Sequence, residues 1–378
     1  MVDKIAMFKK TFLSLSNIVL GQFIVFIYTL VAIRNLSPAQ LGQSMSSLAL
    51  AMIFATTLDF GYTQSHLRSY SRLNSGDFRI MNLRNVRTSF LTMCAAAISF
   101  VFFNNLISLS LLVGLLWQLS VQSSIPFRAV DNLIELFLRS AIGRILGLSF
   151  ATLQFLAVKE PASYVTGVGI VYLFEICALS IWSHARHKVA SEGNILDAAT
   201  SVIPVIQQFD TIIIHRFSAE EAGYFSAVSK WPALFANLVS ALNFANYKEN
   251  ANNLYTRTEW MRGLFPYFKA YVILSVLVIG FASALIHILI GPNYEPSTQI
   301  FQVLMFVSVI SFWNQSFYSR LTAQGKNLLL FSIYTPWTTI QLVLIGAMMK
   351  DQGLTKAVWV YPVAQLGMLI HFLIAAKE

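Results

Sequence analysis

Charged side chains are what this chain has least of. Asp, Glu, Lys and Arg together make up 11% of its 378 residues, where a soluble domain carries roughly 25%. That is too little to clothe a water-exposed surface, so a soluble globular protein is excluded. Cysteine is scarce as well. Cys94 and Cys177 are the only two, and each lies in an apolar run, as packed thiols rather than a disulfide. No His, Cys, Asp or Glu grouping has the spacing of a metal site. There is no P-loop, no Ser/His/Asp set and no pair of carboxylates. The loops assigned to the outer side are only a few residues long, too short to carry the catalytic groups of a membrane polymerase or ligase. Neither an enzyme nor a cofactor is expected.

What is present is apolar. Hydrophobic residues are 56% of the chain, and the mean hydropathy is +0.63. A spanning helix needs about 20 such residues. Runs of that order occur over 14–33, 42–62, 88–104, 106–125, 145–158, 164–183, 196–214, 223–244, 264–289, 297–317, 328–348 and 355–375. These predict an all-α integral membrane protein of about twelve transmembrane helices, the fifth short. Met1–Lys10 reads as a basic start rather than a cleaved leader.

The formal charge of +9 suggests nucleic acid at first sight. Its distribution says otherwise. With the N-terminus inside, alternate loops hold 20 Lys and Arg on the inner side and 5 on the outer, with Lys230 inside a helix. The bias orients both termini to the cytoplasm. Anionic membrane lipid then accounts for the basic charge, and no nucleic acid is expected.

The chain also repeats itself. IRNLSPAQLGQSMS (33–46) and QQFDTIIIHRFSAEEAGYFSAVSK (207–230) each pass from an apolar helix end through a polar turn with a Ser to a Gly five residues on. Ser37 to Ser218 and Gly42 to Gly223 are both offsets of 181 (218 − 37 and 223 − 42). Six helices separate the copies, an even number, so the halves have parallel orientation. The expected domains are 1–190 and 191–378, two parallel-repeat six-helix bundles.

Charge inside a membrane helix is costly, so each instance is a candidate site. Asp210 and Lys230 fall on adjacent spans, about four and seven residues from the outer turn. Two readings are open: a salt bridge clasping the hairpin, or Lys230 facing the cavity to meet an anion with Asp210 tuning it. Lys230 is the only Lys or Arg placed well inside a span and away from the inner surface. Glu175 is the most isolated acid, either a proton carrier or a neutral acid bonded to a neighbouring helix. Asp59 is a further ion-coupling candidate or a cap and partner for Arg68 or Arg72. Arg34 is a substrate-binding candidate or an interface anchor. Pro204, Pro232, Pro336 and Pro362 fall inside spans, where each removes a backbone donor; Pro232 places a kink beside Lys230.

Four segments carry a family resemblance: RNLSPAQLGQ (34–43), LDFGYTQSHLR (58–68), the 207–230 stretch and LIGPNYEPSTQIFQVL (289–304). In order and spacing they resemble the polysaccharide flippases of the Wzx type. These are the O-antigen translocases of the multidrug/oligosaccharidyl-lipid/polysaccharide exporter superfamily. The resemblance implies two six-helix bundles forming a V around a central cavity. It implies transport of undecaprenyl-diphosphate-linked sugar repeats from the inner to the outer leaflet of a bacterial inner membrane. The implied partners are that lipid-linked oligosaccharide, membrane lipids and a polysaccharide polymerase machinery. The competing expectation is a cation-coupled drug antiporter of the same superfamily, which usually relies on several intramembrane acids.

Overall fold

A computed structural model describes residues 20, 23–59, 105–129, 133–180, 208–245, 250 and 255–375. Among them there is helix and turn but no strand. The helices are α1 (Phe23–Asn35), α2 (Pro38–Asp59), α3 (Asn105–Ala129), α4 (Leu133–Val158) and α5 (Pro161–Ser180). They continue with α6 over 208–217, then α7 (Ala219–Ala245), α8 (Arg257–Gly280), α9 (Ser297–Ala323), α10 (Asn327–Gln352) and α11 (Val360–Ala375). A one-turn helix, Leu354–Ala357, precedes α11. Six spans are long and apolar enough to cross a bilayer: those of α4, α5, α8, α9 and α10, and Leu354–Ala375. The chain is an all-α, multi-pass membrane protein. The span expected over 88–104, Pro204 and the partners Arg68 and Arg72 lie outside the described residues.

One correction concerns the fifth span. α4 is not short but 26 residues long. Glu135, Arg139 and Arg144 lower its hydropathy at the start, and Arg139 and Arg144 are among the 20 inner-side charges assigned to loops. The fold neutralises them instead. Glu135 and Arg139 form an ion pair one turn apart, and Arg144 pairs with Glu175. Lys269 likewise lies inside α8, not in a loop. Lys230 is therefore not the only basic residue well inside a helix. Pro362 is also corrected. It stands third in α11, just after a break at Val358–Trp359. There its missing N–H would have no helical partner, so it starts a helix rather than kinking one. Pro232 and Pro336 do lie within α7 and α10, and Pro266 within α8.

Packing divides the chain into two compact units, 20–36 with 40–212, and 213–378 with the turn Ser37–Ala39. In the first, α5 packs on both α3 and α4; in the second, α11 packs on both α9 and α10. α4 and α10 are both 26 residues long. α2 and α7 start 181 residues apart (219 − 38), whereas α4 and α10 start 194 apart (327 − 133). The second half has thus gained 13 residues (194 − 181) between these points. The repeated Ser has a helical role: Ser218 Oγ accepts the Glu221 N–H at 3.1 Å, capping α7. The repeated Gly is a close approach. A Cβ on Gly223 would lie 1.8 Å from the Pro38 carbonyl oxygen.

The charge bias makes a topological forecast. Reporter fusions at Arg79 and Asn252 should read cytoplasmic, and those at Glu160 and Glu295 external. An external signal at Arg79 would reverse the orientation.

Candidate functional site

Each of the five charged candidates stands on a different helix. Arg34 is exposed in the last turn of α1. Asp59 is the last residue of α2, and its side chain lies outside the described residues. Asp210 is buried in α6 at 5% exposure, and Glu175 is buried in α5 at 2%. Lys230 is half-buried in α7.

α7 begins at Ala219, so Lys230 lies 11 residues in (230 − 219), or ~16 Å along the helix at 1.5 Å per residue. Asp210 is seven residues from the end of α6 (217 − 210), ~10 Å along the axis. Lys230 makes no hydrogen bond or ion pair with any described residue, and Asp210 and Lys230 fall in different compact units. Trp231 packs edge-on to Phe301 at 5.5 Å, and Pro232 interrupts the helix just beyond. The result is a cation partway along a helix that a proline weakens.

Glu175 is not isolated, which corrects the expectation. Its Oε1 meets Arg144 Nη2 at 2.6 Å and accepts from Ser140 Oγ at 2.6 Å. Its Oε2 accepts from Ser120 Oγ at 2.6 Å. The cluster ties α3, α4 and α5 together. A sequence signal for it exists. Arg144 is 14 residues from the end of α4 (158 − 144) and Glu175 is 14 from the start of α5 (175 − 161). In an antiparallel hairpin those positions are level. Small residues bring the helices close. A Cβ on Gly143 would sit 2.9 Å from Glu175 Cα, and one on Gly147 2.8 Å from Val171 Cα. Gly143→Leu is expected to lower stability by roughly 1–3 kcal/mol or more, read as a drop in melting temperature of the purified chain; an unchanged value would refute this packing.

Sequence reasoning missed two neutral clusters. In the first unit, the Tyr28 hydroxyl donates to the Tyr164 carbonyl at 3.2 Å. Their rings stack at 5.3 Å, and Thr29 Oγ1 lies 3.2 Å from the Tyr164 hydroxyl. In the second unit, Asn314 Nδ2 donates to Gln365 O at 2.9 Å and to Gln365 Oε1 at 2.8 Å. Ser311 donates to the same Oε1 at 3.2 Å. The three-helix arrangement that an ion pair joins in the first unit is joined by amides across α9 and α11 in the second. Hydropathy does not separate such polar contacts from ordinary core.

No family model matches the chain, and no curated protein matches it. Solved structures do. The inward closed lipid II flippase MurJ aligns with a TM-score of 0.69 at 13% identity, over 99% of this chain and 88% of that one. A MATE transporter of Vibrio cholerae gives 0.67 at 10% identity, over 99% and 98%. A MOP-superfamily transporter of Pyrococcus furiosus gives 0.63 at 10% identity, over 98% and 96%. The chain has the fold of the MOP-superfamily transporters. These alignments run almost end to end, and such folds contain two repeated helical bundles.

Proposed function

We propose that the chain flips undecaprenyl-diphosphate-linked oligosaccharides from the cytoplasmic to the periplasmic leaflet by alternating access, as a Wzx-type flippase of a bacterial inner membrane. The observation that carries this reading is the contrast between Lys230 and Glu175. Glu175 already has an arginine and two hydroxyls as partners. Lys230 has no hydrogen-bonding or ionic partner among the described residues. A half-buried cation on a helix, without a counter-ion among the described residues, suits an anionic substrate such as a diphosphate, because each offsets the other's desolvation. It does not suit a cationic drug, which like charge repels. The fold likeness to MurJ, named as a lipid II flippase, supports the same direction.

The test is transport by the purified chain in proteoliposomes. A diphosphate-linked oligosaccharide should become accessible to an external glycosidase in a protein-dependent way. A cationic dye should not accumulate under a proton or sodium gradient. Dye transport without lipid movement would replace this reading with the cation-coupled antiporter.

A further inference from the structure

Lys230 has no hydrogen bond or ion pair with a described residue. Its head group is therefore held by no polar contact of its own, and its place is inherited from the backbone of α7. That backbone is weakened beside it. Pro232 has no N–H to return to the Val228 carbonyl, so the helical hydrogen bond that would span Lys230 is missing. The rotation of α7 at this point has to be set by side chains.

Within the second unit, two contacts with α9 do this on the near side of the proline. The Tyr224 carbonyl accepts from Ser297 Oγ at 3.2 Å. Trp231 meets Phe301 edge-on, with ring centroids 5.5 Å apart, inside the range of a favourable aromatic pair. Tyr224 and Trp231 are seven residues apart (231 − 224), nearly two full turns, so they share one face of α7. Ser297 and Phe301, four apart, likewise share one face of α9. Phe301 is 1% exposed, so its ring is a fixed wall. Beyond the proline α7 is held separately, by Phe235 edge-on to Tyr271 at 5.6 Å and by Asn243 Nδ2 donating to Ser316 Oγ at 3.3 Å. The Tyr224 anchor is almost two turns from Lys230. Trp231 is the adjacent residue and the last before the proline, and Lys230 stands about 100° around the axis from it.

We propose that Trp231 is the positioning residue of this site: braced on Phe301, it sets the rotation of α7 at Lys230 and so the place where the ammonium meets the substrate diphosphate. The inference rests on the transport reading and adds the residue through which the fold holds its cation. The lever is sensitive. A helix rotation of about 20° carries a group ~6 Å from the axis through ~2 Å, enough to lose a hydrogen bond to a phosphate oxygen. A cation with no polar partner of its own needs such a support from its neighbours.

Binding of undecaprenyl diphosphate to the full chain, purified in neutral detergent, is measured by native mass spectrometry. Lys230→Ala should weaken the affinity at least ~10-fold, and Trp231→Ala by a similar factor. Trp231→Phe should restore most of the loss, because a phenyl ring still reaches Phe301. Phe301→Leu, on the other side of the contact, should weaken binding as Trp231→Ala does. The deciding variant is Lys230→Ala with Trp231→Ala. It should bind no more weakly than Lys230→Ala alone, since a residue that acts only through Lys230 then has nothing to act on. Additive losses in the double variant would overturn the proposal, by making Trp231 a direct ligand contact or a general stabiliser. Unaltered affinity in Trp231→Ala would overturn it too. Unaltered affinity in Lys230→Ala is a separate failure: it would take Lys230 out of the substrate path, and the positioning role with it.

Discussion

Lys230→Ala is expected to abolish surface polysaccharide while leaving the protein at its normal level in the membrane. The substrate's diphosphate must leave water for a low-dielectric interior, and without a counter-charge that costs several kcal/mol. Truncating one partner of a desolvated charge pair costs ~2–5 kcal/mol, so transport in proteoliposomes should fall by roughly 100-fold or more. Lys230→Arg should keep part of the activity, because it preserves the charge but not the compact ammonium. The half-buried position makes the protein-level control informative: the side chain has no hydrogen bond or ion pair with a described residue to lose. The hairpin-clasp alternative forecasts something else. If Lys230 served mainly to neutralise Asp210, Lys230→Ala with Asp210→Ala would recover function, because neither charge is left alone. We expect the double variant to be as inactive as the single one. Full activity in it would take Lys230 out of the substrate path.

Much of the fold was legible because a membrane forces it. Every backbone group in the hydrocarbon must be paired within its own segment, so long apolar runs have to be helices. Ten of the expected spans coincide with long helices among the described residues, or with parts of them. The duplication was legible because Ser37 and Ser218 stand at the same place before a helix and Gly42 and Gly223 within it. What hydropathy misread was α4. Averaging over residues treats Glu135, Arg139 and Arg144 as three independent penalties, whereas in the structure each has an ionic partner. Pairing is a property of positions, and sequence carries it only through relations such as the equal distance of Arg144 and Glu175 from the Lys159–Glu160 turn. The same blindness made Glu175 look isolated. The start of α7 lies ahead of the expected span for a simpler reason. α7 starts four residues before the first strongly apolar stretch (223 − 219), because Ser218 caps it and the acids Glu220 and Glu221 suit a helix start.

The larger structural effect belongs to Glu175 and Arg144. Glu175→Gln removes the carboxylate and leaves the Arg144 guanidinium without its partner, 21% exposed and ~16 Å into α4. Breaking a buried pair from one side costs ~3–5 kcal/mol, which is comparable to much of a domain's net stability. We therefore expect Glu175→Gln to be poorly accumulated and to melt far below the wild type. Arg144→Met should be milder. A carboxylate can neutralise itself by taking up a proton, and as an acid it still bonds Ser120 and Ser140; a guanidinium cannot shed its charge. The double variant, Glu175→Gln with Arg144→Met, leaves no charge behind. It should regain most of the melting temperature and accumulation lost in Glu175→Gln, a coupling of ~1–3 kcal/mol between touching residues. Its transport decides what Glu175 is for. Restored flipping would assign the pair to holding α3, α4 and α5 together, which is the outcome we expect from its completed set of partners. A double variant that folds and melts normally but moves no lipid would mean that Glu175 must exchange Arg144 for a proton or cation during the cycle. It would then be the coupling acid.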